Sequence, residues 1–414
     1  SPLAGSGFGT VARNILHGLS TAYPGEYDIH CLGIGQPLYM HADPILYPYP
    51  IYPHPTGYPD QGPDNLRAWL SYINPDVLIV NEDVYRTFYL THPEFMPHRR
   101  FPIIYYQPLD STSADGLIPQ TWRECVLRQD WTVLYQQWAL DVFRRAVPQA
   151  ADRMSMIPHG VDTDLFCPGG GLVMPDNIVV GMVGRNQMRK DFPAFLAAMR
   201  LVVAECPEAA VYLHTSWVGN VSWDLRELVR AYGLSDPNHI LEIEFSGRMM
   251  SAGNAISTAE LVSIYQTLDV HVLAHQGEGC GLPHLEAMSS GVPSLSTDYA
   301  GTKQHNFFDW QRLPVEFERV SHPGLPLLRP HTNVEAMAEK ILHLCEQTKE
   351  ERQSLGMACR EKVLEKYTWD STISQWHDLI EQVVGRYGGG GYVEAERRQV
   401  RVNRGWKVGK EEVE

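Results

Sequence analysis

The chain lacks the signatures of several large protein classes. It has no Cys-x-x-Cys pair. Its seven cysteines, at positions 31, 125, 167, 206, 280, 345 and 359, are odd in number and scattered, which speaks against a disulfide framework or a zinc site and for free thiols in a reducing compartment. No apolar run approaches the ~20 residues that span a bilayer. No signal peptide opens the chain either, so a cytoplasmic protein is expected. There is no G-x-S-x-G elbow and no P-loop. The 17 histidines, His159, His275, His284 and His305 among them, show no H-E-x-x-H or other ligand spacing, and no metal site is expected. Positive charge is in deficit: 34 Lys and Arg against 49 Asp and Glu leave a formal charge of −15. That argues against broad electrostatic binding to nucleic acid or anionic membrane. One basic stretch, "RRQVRVNRGWKVGK" (397–410), reads as a solvated terminus or a local patch. The chain opens at Ser1 without a methionine, and further residues are expected upstream.

What is present is a long β-α alternation. A chain of 414 residues suits two domains. In its first half "YDIHCLGI", "PDVLIVN", "FPIIYY" and "DWTVLY" read as strands, with helices over 9–21, 64–74, 118–128 and 137–147. In its second half "NIVVGMVG", "AAVYLHT", "HILEIEF", "LDVHVLA" and "VPSLST" read as strands. Helices fit at 191–205, 222–232, 258–267, 282–290, 334–347, 349–365 and 368–386. Such repetition predicts parallel sheets covered on both faces, in two doubly wound α/β domains. The break falls near 158–176, which is rich in Gly, Pro and Asp. Residues 41–63 form a Tyr/Pro-rich loop, read either as functional or as a surface excursion packed by its own tyrosines. "GSGFGT" (5–10) suits a strand-to-helix turn, yet no strand precedes it; a first strand is expected upstream.

The stretch "QGEGCGLPHLEAMSSGVP" (276–293) carries the chemistry. Gly277, Gly279 and Gly281 allow close approach of backbone to a ligand. A helix opening near Leu282 offers free N–H groups to a phosphate or sugar. Glu278 in the loop and Glu286 on the helix can face one cleft at a strand's C-terminal end. Carboxylate oxygens accept hydrogen bonds from vicinal hydroxyls, so a ribose or hexose diol is the natural partner. "GMVGRNQMRKDFP" (181–193) places Arg185 and Lys190 around a strand-to-helix turn, where two cations can neutralise a departing diphosphate. "GSGFGT" is not G-x-G-x-x-G, and no acidic residue ends the next strand; a phosphate or sugar contact ranks above a dinucleotide. Asp110, in "YYQPLDST", follows a strand of the first half.

Together, "GSGFGTVARNIL", "IPHGVDTDLFCP", "VGRNQMRKDFPAFLAAM" and "GEGCGLPHLEAMSSGVPSLSTDYAG" resemble retaining GT-B glycosyltransferases of the GT4 type, over residues 5–386. The spacing of "PDVLIVNEDV" and "YYQPLDS" looks closest to a branch found in archaea, bacteria and their viruses. The resemblance implies two facing Rossmann-like domains with a nucleotide-sugar between them. It divides the chain into an acceptor-side domain (1–165), a donor domain (166–367), a helix crossing back to the first domain (368–388) and a partly basic tail (389–414). It implies that Arg185 and Lys190 bind the donor diphosphate. Glu278 would bind the sugar hydroxyls and act with Asp110 at the reacting centre, and Glu286 would bind the ribose. Gly7 and Gly9 would lie over the phosphates, with Gly279, Cys280, Gly281 and Leu282 near sugar and phosphate. No metal or other cofactor is implied beyond the donor, a UDP-sugar ahead of a GDP-sugar. The acceptor is a hydroxyl on a carbohydrate, a lipid-linked molecule or nucleic acid. Cys280, His275 and Gln304 depart from the family's pattern, where Phe, Ser and Glu are usual; they bear on which sugar is bound. Other readings are glycosylation of hydroxymethylated DNA bases through the basic tail, a nucleotide-sugar epimerase on the same fold, and a donor-binding protein without turnover.

Overall fold

The structure is a computed structural model that describes residues 2–3, 6–34, 36, 42–54, 63–97, 99–171, 177–217, 222–235, 240–241, 256–318 and 326–387. β-Branched apolar runs bounded by turns form its strands, and the central ones, such as Ile103–Gln107, Ala209–His214 and Val270–Leu273, are buried on both faces because helices cover both sides. In the N-terminal half the strands Leu78–Asn81, Ile103–Gln107, Trp131–Leu134 and Met154–Met156 pair in parallel in chain order. Every residue of Ile103–Gln107 is buried. The strand Cys31–Ile34 pairs in parallel with Ile51–His54. The Tyr/Pro-rich segment therefore contributes a short strand, which carries a proline as short two-stranded edges tolerate.

The C-terminal half holds a six-stranded parallel sheet. Its order is Arg312–Leu313, Ser294–Thr297, Val270–Leu273, Ile178–Val183, Ala209–His214 and Ile240–Leu241. Ile178–Val183, first of the six in sequence, lies beside Val270–Leu273, the fourth, so the winding reverses between them. A crevice opens at the strand C-termini at such a reversal, and ligands of open α/β sheets bind there. Helices Phe192–Glu205 and Val334–Cys345 pack on one face through Phe195, Met199, Met337 and Ile341. Helices Leu282–Ser289 and Lys349–Lys366 cover the other through Leu285, Met288 and Val363. An antiparallel pair, Val315–Glu318 with Arg329–Thr332, follows the last sheet strand. Of the expected strand "HILEIEF", only Ile240–Leu241 falls within the described residues.

The two halves are joined by packing and by the chain's last described helix. Helix Trp369–Tyr387 lies against helix Gly7–Ala22, where a side chain at Gly18 would collide with Ile373. His377 stacks on Tyr23 at 3.8 Å and shares a 2.7 Å hydrogen bond with the Tyr27 hydroxyl. Trp376 is fully buried and meets Tyr106 of the N-terminal sheet edge-on at 4.9 Å. Truncating so large a buried side chain removes its transfer energy and leaves a cavity, at about 3–5 kcal/mol. Trp376→Ala is expected to lower the unfolding free energy by that order, read as a fall in the urea midpoint. A near-neutral effect in urea melts would mean that this helix is not what holds the N-terminal sheet.

Candidate active site

The reversal of strand order brings the expected residues to one place. Arg185 and Lys190 follow strand Ile178–Val183, while Glu278 follows its neighbour Val270–Leu273. Lys190 and His275 form an isolated antiparallel bridge that ties the two loops. Lys190 Nζ and Arg189 Nη1 both stand 2.5 Å from Glu278 Oε1. Arg189 also donates to the Gly277 carbonyl at 2.8 Å. Burial opposes ionisation of Glu278, and the charges of Arg189 and then Lys190 override it, bringing the carboxyl down to about 2. Burial likewise lowers Lys190, and Glu278 works against that shift. This is a fully charged cluster in the cleft wall.

Arg185 is different. It is exposed, and it makes no hydrogen bond or ion pair among the described residues. Partial burial of its guanidinium, then Arg189 and Arg86, disfavour its charge. A cation held beside cations, with no counter-ion among the described residues, is a place for an anion.

Two helix N-termini meet here. Helix Leu282–Ser289 begins after Gly281, which has φ 80° and leaves the end without a side-chain cap. Gly7, the first residue of helix Gly7–Ala22, faces it, and a Cβ at Gly7 would lie 3.9 Å from Leu282 Cδ1. Gly9 is buried two residues further, its N–H held by Ser6 Oγ at 3.2 Å. The uncapped N–H groups of helix Leu282–Ser289 and the dipoles of both helices favour negative charge at this point.

Glu286 lies one turn into the second helix and accepts a 2.7 Å hydrogen bond from the Tyr265 hydroxyl. Burial raises it to about 7, against the pull of Tyr265 and Lys190. Across the cleft, Gly279 lies so close to Pro108 that a Cβ would stand 2.7 Å from the proline ring. Asp110, next in that loop, accepts from Arg329 Nη1 at 3.1 Å. Contacts thus link Lys190 to Glu278, Gly7 to Leu282 and the Asp110 loop to the glutamate loop, while Cys280 is buried. Cys280 belongs to a buried cluster with Tyr106 and Tyr135, and burial raises its thiol well above the usual range.

The other two positions that depart from the family's pattern have structural roles. His275 is held neutral, lowered by burial to about 3. Its Nε2 bonds Thr302 Oγ1 at 2.7 Å and its Nδ1 accepts the Gly277 N–H at 3.1 Å, which shapes the glutamate loop. Gln304 Oε1 accepts the Gln137 N–H at 3.0 Å, at the start of helix Gln137–Ala146. Arg189, Tyr265 and Arg329 escaped sequence reading. Arg189 sits beside Lys190 in "MRKD", whereas nothing local marks the other two. Among the described residues no group of His, Cys, Asp or Glu could hold a metal ion, and no helix is long and apolar enough to cross a membrane.

Residues 177–347 match the family described as "Glycosyl transferases group 1". Arg185, Lys190, Glu278 and Glu286 all fall inside that match. The mannosylfructose-phosphate synthase of Agrobacterium fabrum is 26% identical over 179 residues, 39% of this chain and 36% of that protein. The chain therefore matches little more than a third of that curated relative's length. Among solved structures, sucrose-phosphate synthase from Thermosynechococcus elongatus superimposes with a TM-score of 0.71 at 16% identity, covering 92% of this chain and 94% of that one. Anabaena HepE in complex with UDP and glucose gives 0.64 at 14% identity, covering 91% and 96%. These likenesses establish the fold as that of GT-B glycosyltransferases, two Rossmann-like halves around a cleft.

The raised Glu286 makes a prediction about the domain's stability. Between the ordinary value of 4.5 and about 7 the folded state holds a proton that the unfolded state has released. Stability therefore falls as pH rises through that window and is level above it. Glu286→Gln is expected to stabilise the protein at pH 8 and to match the wild type below pH 4.5. Urea melts across that range that run parallel at every pH would contradict the assignment.

Proposed function

We propose that the protein is a retaining, metal-independent glycosyltransferase that moves a sugar from a nucleoside-diphosphate sugar to a hydroxyl acceptor. The observation that carries the reading is Arg185, an uncountered guanidinium beside Arg189, at a crevice where two helix N-termini converge. That arrangement suits a diphosphate. Arg185, Lys190 and the N–H groups near Gly7 and Leu282 would take the negative charge that builds on the leaving phosphate. Glu278 would accept hydrogen bonds from the sugar hydroxyls and Glu286 from the ribose. Asp110 would stand at the reacting centre. The bond from the anomeric carbon to the phosphate oxygen breaks with its electron pair. The acceptor oxygen bonds the same face of that carbon, and its proton passes to the departing phosphate.

A UDP-sugar is the favoured donor, supported by the UDP bound in the HepE structure. The acceptor class stays broad, a carbohydrate or lipid-linked hydroxyl. Neither a DNA acceptor nor epimerisation has support among the relatives, and the basic tail at 397–410 lies outside the described residues.

Thermal-shift measurements with UDP, GDP, ADP and their sugars test the reading. A true ligand at ~100 times its dissociation constant stabilises the folded state by about 2.7 kcal/mol. UDP is expected to shift the wild type, and Arg185→Ala is expected to bind it at least about tenfold more weakly while melting at the wild-type temperature without ligand. No shift with any nucleotide, or unchanged affinity in Arg185→Ala, would count against it.

A further inference from the structure

We infer that Arg329 is a positioning residue, holding the Asp110 carboxylate against the glutamate loop so that the two halves of the site meet in one register. The inference rests on the donor-cleft reading above and assigns a role to a strand that none of the motifs includes. Arg329 Nη1 donates to Asp110 Oδ2 at 3.1 Å and points at the Gln276 carbonyl at 3.4 Å. One guanidinium thus spans the N-terminal carboxylate and the backbone that leads into Glu278. Its side chain is 12% exposed, while that of Asp110 is 26% exposed, so the cation is sunk behind a carboxylate that still reaches the cleft.

The surroundings leave little room for another arrangement. A side chain on Gly277 would collide with the Asp110 carbonyl oxygen and with Arg329 Nη1. The Leu328 N–H donates to the Thr112 carbonyl at 2.8 Å, and Ser111 Oγ donates to the Leu328 carbonyl. Ser111 Oγ is also 3.0 Å from the Tyr299 hydroxyl. Three consecutive residues of the N-terminal loop, 110–112, are therefore bonded to the C-terminal half. The Arg329–Asp110 contact is the charged one in that set, and the planar fork of Arg329 fixes direction as a lysine ammonium does not. Carboxylate direction matters because a misplacement of about 1 Å near reacting atoms can cost a hundredfold in rate.

The test uses the full chain as wild type, Arg329→Gln, Arg329→Lys, Asp110→Asn and the Asp110→Asn/Arg329→Gln double variant. UDP affinity is read by calorimetry, turnover by release of UDP from UDP-glucose, and loop order by amide hydrogen exchange. Arg329→Gln is expected to bind UDP within about threefold of wild type and to lose at least about tenfold in kcat, with KM changed less. Exchange should rise at 110–113 and 277–281 together, and Arg329→Lys should recover part of both effects. The double variant should be no slower than Asp110→Asn alone, as expected for residues that act as a unit. Wild-type kcat in Arg329→Gln, or exchange rising only at 326–332, would overturn the inference. A wild type that neither binds UDP nor turns over UDP-glucose would count against the donor-cleft reading instead, and the exchange pattern alone would then decide the role of Arg329.

Discussion

The site depends on one buried charge cluster, Glu278 between Arg189 and Lys190. Taking three charges out of water is costly, and their mutual attraction repays it only with close geometry. Here both cations reach the same carboxylate oxygen at 2.5 Å, and Arg189 spends a further hydrogen bond on the Gly277 carbonyl. The surrounding loop is then fixed from several sides. Neutral His275 takes the Gly277 N–H, an isolated bridge joins Lys190 to His275, and Trp223 Nε1 donates to the Lys190 carbonyl at 3.0 Å. Remove Glu278 and two cations are left facing each other uncompensated, whereas removing either cation leaves a single ion pair. A sugar that reaches Glu278 meets an acceptor already ionised and already oriented, which is what preorganised recognition requires.

Close approach of backbone is the second constraint. The halves touch at residues that lack side chains, Gly7 against Leu282 and Gly279 against Pro108, and within the C-terminal half Gly301 lies against the carbonyls of Glu278 and Gly279. A Cβ at Gly279 or Gly301 would drive the loops apart. The cleft is thus lined by peptide groups and helix ends more than by bulky side chains, a surface suited to phosphates and hydroxyls. Arg185 is the one motif residue that stays uncountered among the described residues, which makes it the natural receiver of a ligand's charge.

The elements whose signals are local were legible in the sequence. Apolar runs such as "NIVVGMVG" and "AAVYLHT" became strands Ile178–Val183 and Ala209–His214. The helix expected over 258–267 is bounded by a capping box between Ser257 and Glu260, as S-x-x-E announces. The helix expected over 222–232 starts only after Asp224, its N-cap, because Asn186 Oδ1 holds the Trp223 N–H ahead of it. Strand Ile51–His54 stayed hidden because Pro53 interrupts its pattern, and only its partner Cys31–Ile34 makes it a strand. At the site, residue types and spacing pointed to Arg185, Lys190, Glu278 and Glu286, but not to what each one touches. That Lys190 is buried against Glu278 while Arg185 is exposed depends on which loop crosses which. Tyr265 and Arg329 could not be found at all, since their partners lie 21 and 219 residues away. Cys280 drew attention as a departure from the family's pattern, yet its thiol packs with Tyr106 and Tyr135.

The claim that the crevice is built around a diphosphate is tested most directly by calorimetric titration of UDP against uridine. The two share a base and a ribose and differ only in the phosphates. The account predicts that UDP binds and that uridine binds at least about a hundredfold more weakly, equivalent to about 2.7 kcal/mol from the cations and helix ends. Equal affinity for the two, or tighter binding of uridine, would contradict it.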